Sequence, residues 1–106
     1  MPHSNLKINA QSIKLHKQWG GKLGVHSKAP LRTKHDLSVA YTPGVAEVCR
    51  AIFKNPALAT TLTIKKNCIA VITDGSAVLG LGNLGPLGAL PVMEGKAILF
   101  KELGNV

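Results

Sequence analysis

Three places in this 106-residue chain hold residue types and spacings that could do chemistry. The first is Gly80-Leu81-Gly82-Asn83-Leu84-Gly85, which matches the G-x-G-x-x-G pattern of phosphate-cradling turns. That chemistry needs a strand before the turn, a helix after it and a second parallel strand carrying an acid for the ribose. Here Pro86 follows the third glycine, and the run before it reads as the return arm of a hairpin. Glu102 lies at a suitable distance but on a predicted helix, so no βαβ unit fits. The loop is read instead as exposed backbone whose amides could take a carboxylate or a phosphate. The second place is Tyr41, directly ahead of a predicted helix N-terminus, where backbone N–H groups favour an anion. The third is Lys96, an amine in the middle of an apolar helix between Gly95 and Ala97.

Each has a plainer reading. A tyrosine beside a helix cap commonly packs, and a lysine on an apolar helix commonly snorkels to water. An amine that acts as a base must lie well below the ordinary lysine value of about 10.4, which burial or nearby cations achieve. The local sequence supports burial of Lys96 and is silent on cations. Asp74, Glu94 and Glu102 lack the convergent spacing that a divalent ion needs and are not nominated as ligands.

The elements that must position these groups follow from patterning. A first helix is expected over residues 10–19, with Asn9 as its N-cap, Ile13 and Trp19 buried, and Gly20-Gly21 as its stop. Residues 1–8 read as a frayed lead-in and residues 20–40 as a connection. Thr42 then caps a helix with Pro43 in its first position, and Val45, Val48, Cys49, Ile52 and Phe53 form its apolar stripe. It must stop at Asn55-Pro56. Residues 68–72 and 77–81 read as strands joined through Asp74-Gly75, a hairpin signal. A last helix is expected over residues 91–103, burying Val92, Ala97, Leu99, Phe100 and Leu103 and closed by Gly104-Asn105. The expected fold class is α/β of an α+β-like kind, with helices around a β-hairpin.

Composition narrows the function classes. A chain that is 45% hydrophobic is not intrinsically disordered. Two cysteines, Cys49 and Cys68, with no secretory leader read as free cytoplasmic thiols and exclude a disulfide scaffold. The net charge of +8 raises nucleic-acid binding. Against it, the cations are spread singly except for Lys65-Lys66, and four aromatics offer no stacking platform. Attraction of a small dianion fits the same charge. Residues 75–93 are uncharged, but their glycines and prolines would leave backbone groups that a bilayer cannot satisfy. Neither a nucleic acid nor a membrane is expected as a partner. The low aromatic count, with 11 glycines and 6 prolines, suggests close backbone approaches more than a self-sufficient core.

Three segments together closely resemble the N-terminal domain of malic enzymes of the shorter prokaryotic type. They are Asp36-Leu-Ser-Val-Ala-Tyr-Thr-Pro-Gly-Val-Ala-Glu-Val-Cys-Arg50, Ala70-Val-Ile-Thr-Asp-Gly-Ser-Ala-Val-Leu-Gly-Leu-Gly-Asn-Leu-Gly85 and Pro91-Val-Met-Glu-Gly-Lys-Ala-Ile-Leu-Phe100. The resemblance implies oxidative decarboxylation of L-malate to pyruvate and CO2 with NAD or NADP and a Mg or Mn ion. It implies Tyr41 as the acid on the enolpyruvate carbon and Lys96 as the base on the C2 hydroxyl. Some family members carry an arginine that grips a malate carboxylate where this chain has Ala77. Carboxylate recognition is therefore expected from elsewhere, with Gly80, Gly82, Asn83 and Gly85 as the candidate substrate loop.

The resemblance also implies that residues 1–106 are a partial N-terminal domain. The metal ligands and the nucleotide-binding Rossmann domain would lie further along the family's chain. The isolated chain is expected to bind no cofactor tightly and to turn nothing over, and the whole enzyme to be a cytoplasmic homo-oligomer. Three alternatives stand beside this reading: a non-catalytic oligomerisation remnant, a segment of a malolactic-type malate enzyme, and a basic nucleic-acid binder.

Overall fold

The computed structural model describes residues 2–106, with side chains from residue 5 onward. The chain divides into two units, one formed by the residues up to Gly24 with Ala70–Val106, the other by Val25–Ile69. Among the described residues the regular structure is helical.

In the first unit, α1 spans Pro2–Trp19 and α5 spans Gly85–Gly104. Helix α1 begins well before the expected Asn9 cap, so the lead-in foreseen for residues 1–8 is helical from Pro2 onward; Met1 lies outside the described residues. Its stop is as expected: Gly20 and Gly21 both take positive φ, which ends a helix without a Cβ penalty. Helix α5 also begins early. Pro86, not Pro91, takes the opening position, and Pro91 lies inside the helix, where its missing N–H removes one backbone bond. Asn105, in the left-handed region, caps the far end, with its N–H donating to the Lys101 carbonyl at 3.0 Å.

The expected hairpin is absent, which corrects the fold class. Residues 75–84 form a closed loop with no strand in it. The Leu84 and Gly85 N–H groups both donate to the Gly75 carbonyl, at 3.1 and 3.2 Å, which pinches the two ends together. A Cβ on Gly75 would collide with the Gly85 carbonyl and the Pro86 nitrogen. The sharp turn that the Asp-Gly pair signalled is therefore real, but it closes against residues ten positions on instead of pairing two strands. Val78 is tucked inside at 5% exposure, and its N–H donates to the Gly82 carbonyl.

The second unit holds α2 (Lys34–Ala40), α3 (Val45–Lys54) and α4 (Ala59–Leu62), with 3-10 turns at Pro56–Leu58 and Ile64–Asn67. Helix α2 falls in the stretch expected to be a connection. Its cause is a capping box: the Thr33 hydroxyl accepts from the Asp36 N–H, and the Asp36 carboxylate accepts from the Thr33 N–H. Helix α3 ends at Asn55 as Pro56 requires.

The expected core is largely missing from both units. Among the described residues the buried hydrophobics are Val78 and Ala89, both in the first unit. Ile13, Trp19, Val48, Cys49, Phe53, Leu99, Phe100 and Leu103 are exposed, and Val45, Ile52, Val92 and Ala97 are half-buried. The helical stripes are where periodicity puts them, but among the described residues they stay exposed or half-buried.

Candidate active site

Tyr41 belongs to the second unit and sits at the bend between α2 and α3. Its N–H caps α2 by donating to the Leu37 carbonyl at 2.8 Å, and its own carbonyl accepts from the Val45 N–H at 2.7 Å. The Gly44 N–H donates to the Ser38 carbonyl, and a Cβ there would lie 2.6 Å from that oxygen. Gly44 is thus required by space, because only a bare Cα lets the start of α3 press on the end of α2. Tyr41 is 63% exposed. Thr42 and Pro43 precede the helix without capping it; the cap residue is Gly44.

The expected anion site at this helix entrance is not formed. The N–H groups of Gly44, Val45, Ala46 and Glu47 donate to the carbonyls of Ser38, Tyr41, Pro43 and Gly44. A helix N-terminus attracts anions through unpaired donors, and here the preceding bend supplies their partners.

Lys96 belongs to the first unit, in the fourth turn of α5. That helix has two unlike faces. The turn after α1 clasps one of them: the Lys22 N–H donates to Glu94 Oε1 at 2.7 Å, and Lys22 Nζ donates to the Pro91 carbonyl at 2.6 Å. Pro91, Glu94, Gly95 and Ile98 share that side at helical spacing. Lys96 lies on the other side with Leu99, Phe100 and Leu103, where they line an open hollow of about 540 Å³. The sequence led us to expect a buried Lys96; it is exposed. Glu94, two residues away, serves the clasp, and the sequence held no signal for that role because its partner lies 72 positions earlier.

The glycine loop leads directly into α5, so Lys96 follows Gly85 by eleven residues, roughly 16 Å along the axis at helical rise. Asn83 Oδ1 accepts from the Gly85 N–H at 3.0 Å, and that N–H also faces the Gly75 carbonyl. Asn83 and Gly85 therefore close the loop on itself. Gly80 and Gly82 take φ of +75° and +86° with open space where a Cβ would stand. Asp74 has a local use too. The Ser76 N–H, then the Ser76 side chain, hold its carboxyl below the usual carboxylate range.

At the start of α5 the Leu84 and Gly85 N–H groups are engaged by the Gly75 carbonyl, and Pro86 has none. Among the described residues no three His, Cys, Asp or Glu side chains converge as metal ligands. Among the same residues no helix is long and apolar enough to cross a membrane.

Comparison with known proteins agrees with the motifs. The family model for the malic enzyme N-terminal domain matches residues 20–106. The NAD-dependent malic enzyme of Geobacillus stearothermophilus is 60% identical over 87 residues, covering 82% of this chain and 18% of that one. The bifunctional malic/malolactic enzyme of Bacillus subtilis is 50% identical over 101 residues, covering 95% of this chain and 25% of that one. Among solved structures, the NAD-dependent malic enzyme of Thermotoga maritima superposes with a TM-score of 0.84 at 47% identity, covering 89% of this chain and 26% of that one. The chain belongs to the malic enzyme family, a family of NAD- and NADP-dependent oxidoreductases, and matches its N-terminal domain. It spans about a fifth to a quarter of the length of these relatives.

Proposed function

We propose that this chain supplies the acid and the base of a malic enzyme that converts L-malate to pyruvate and CO2. The observation that carries the reading is the pairing of motif with placement. The two residues that the family motifs single out, Tyr41 and Lys96, each present an exposed functional group from a backbone fixed by its own bonds. In this reading the Lys96 amine takes the proton of the C2 hydroxyl as C2 is oxidised. Loss of CO2 leaves enolpyruvate, and the Tyr41 phenol protonates C3. NAD or NADP would accept the hydride and a Mg or Mn ion would polarise the C2 oxygen. In this reading the groups that hold both would come from the remaining length of the enzyme, with its nucleotide-binding domain. The whole enzyme would be a homo-oligomer, and the 106-residue chain alone would be inactive.

In this reading the substrate loop is reduced to two of its residues. Gly85 and Asn83 are engaged in closing it, so a malate carboxylate would be left with Gly80 and Gly82.

The test is reconstitution. The chain is mixed with the separately expressed remainder of the Geobacillus enzyme, and pyruvate formation is followed with L-malate, NAD and Mn. Activity that disappears with Lys96→Ala supports the reading; activity indifferent to both Lys96→Ala and Tyr41→Phe overturns it. A second reading has one observation behind it, the relative named as both malic and malolactic. Lactate as the product would favour that reading.

A further inference from the structure

Between the glycine loop and Lys96, α5 carries a weak turn. Pro91 has no N–H, so the helical bond that residue 91 would make to the Leu87 carbonyl cannot form. A proline inside a helix is where that helix bends. The closed loop of residues 75–84 leads into α5 on one side of this turn, and Lys96 follows Pro91 by five residues on the other. Where the Lys96 amine stands relative to the loop is therefore set by the angle that α5 takes at Pro91. Five residues of helix span about 7.5 Å, so a change of about 10° there moves Lys96 by about 1.3 Å.

That turn is braced from outside. Lys22, half-buried in the turn after α1, meets it with two donors. Its N–H donates to Glu94 Oε1 at 2.7 Å, and its ammonium donates to the Pro91 carbonyl at 2.6 Å. The two acceptors lie three residues apart, nearly one helical turn, and they bracket the stretch that follows the missing bond. Glu94 is itself half-buried, and a Cβ on Gly21 would stand 3.1 Å from its Oε1, so the backbone approaches the carboxylate closely. Both bonds are charge-assisted, one through the carboxylate and one through the ammonium. They fix direction as well as distance, because a hydrogen bond weakens steeply off line. Lys22 and Glu94 meet on the side of α5 away from Lys96, so neither is placed to touch a substrate held by that amine.

We propose that Lys22 and Glu94 are positioning residues for the proposed reaction: their clasp sets the angle of α5 at Pro91 and, with it, the place of the Lys96 amine. This rests on the reading of Lys96 as the base. Both residues act through Lys96 and not on the substrate. A misplacement of about 1 Å at a reacting group costs about a hundredfold in rate, so the clasp matters to the chemistry well beyond its share of stability.

The experiment uses a chimera in which this chain takes the place of the matching part of the Geobacillus stearothermophilus enzyme, with L-malate, NAD and Mn. Glu94→Ala should lower kcat about 10- to 100-fold, whereas Glu94→Gln, which keeps an oxygen for the Lys22 N–H, should stay within about threefold. The loss should vanish where the amine is already gone: Glu94→Ala added to Lys96→Ala should lower the residual rate by less than about twofold. A merely structural role would cost the same factor in both backgrounds. If Glu94→Ala loses helix content by circular dichroism, Lys22→Met decides. It cuts only the ammonium contact and should cost about threefold or more with Lys96 present and nothing without it. An unchanged kcat in Glu94→Ala, an equal loss in Glu94→Gln, or equal losses with and without Lys96 overturns the proposal and leaves Lys96 as the base. A rate indifferent to Lys96→Ala, or a chimera inactive before any substitution, overturns the reading of Lys96 and the proposal with it.

Discussion

The bend carrying Tyr41 is closed by bonds between residues a few positions apart. Thr33 and Asp36 cap each other, Tyr41 bonds Leu37 and Val45, and Gly44 reaches back to Ser38. The helix carrying Lys96 is held by a contact between residues 72 positions apart, Lys22 to Glu94. Past the buried Ala89, the side on which Lys96, Leu99, Phe100 and Leu103 stand is exposed. The difference teaches which candidate positions this stretch of chain can fix by itself. A side chain placed by local backbone bonds is already in place, whereas one whose environment comes from burial waits for what buries it.

The largest expected effect breaks the comparison at its chemical end. In the reconstituted enzyme, Lys96→Ala should lower kcat by about 10²–10⁴, the range for a lost general base, and Tyr41→Phe by a comparable factor. Both side chains are exposed, so the melting temperature of the assembly should hardly move in either variant.

Next comes the loop that feeds α5. Gly75→Ala demands a positive φ from alanine and a collision with Gly85, and should cost roughly 3 kcal/mol. Gly80→Ala, with open space around it, meets only the backbone penalty of about 1 kcal/mol. Denaturant titration of the two variants in the assembly separates them. Equal losses would mean that the closure of the loop at Gly75 is not what holds it.

Smaller still is the clasp. Glu94→Ala leaves the Lys22 N–H without its acceptor and should cost about 1–2 kcal/mol, seen as faster amide exchange at Lys22. The bend at Tyr41 should show no change, since no bond that closes it involves Glu94.

The smallest effect is a pH dependence confined to the Tyr41 unit. Asp36 is held below its ordinary 3.8, first by the Arg32 N–H and then by the Thr33 N–H and side chain. A depressed folded value means that the unfolded chain binds the proton more readily. The cap is therefore fully formed above about 3.8 and is lost as pH falls through the lowered folded value. The Arg32 and Thr33 amide resonances should shift together in that acid range, and Asp36→Asn should remove the transition.

What could be read from the residues follows the same division. The stop of α3 was legible because Pro56 forbids a helical Asn55, and the stop of α5 because Asn105 readily takes a left-handed turn. Helix α2 was missed although Thr-x-x-Asp stood in view, since seven residues give little periodicity. The hairpin misled because Asp-Gly reports a turn and not what the turn closes against; the carbonyl of Gly75 meets amides ten residues on. The burial of Leu99, Phe100 and Leu103 was expected from their stripe, but a stripe names a face and not its cover. Tyr41 and Lys96 were found through family motifs. Local pattern alone offered only a tyrosine at a cap and a lysine on a helix.

The most direct measurement is a crystal structure of the reconstituted assembly with L-malate bound. The account predicts the Lys96 amine within hydrogen-bond reach of the C2 hydroxyl, about 2.6–3.2 Å, and the Tyr41 phenol facing C3 of the same molecule. A bound malate with the phenol and the amine on separate surfaces, neither touching it, would contradict the account.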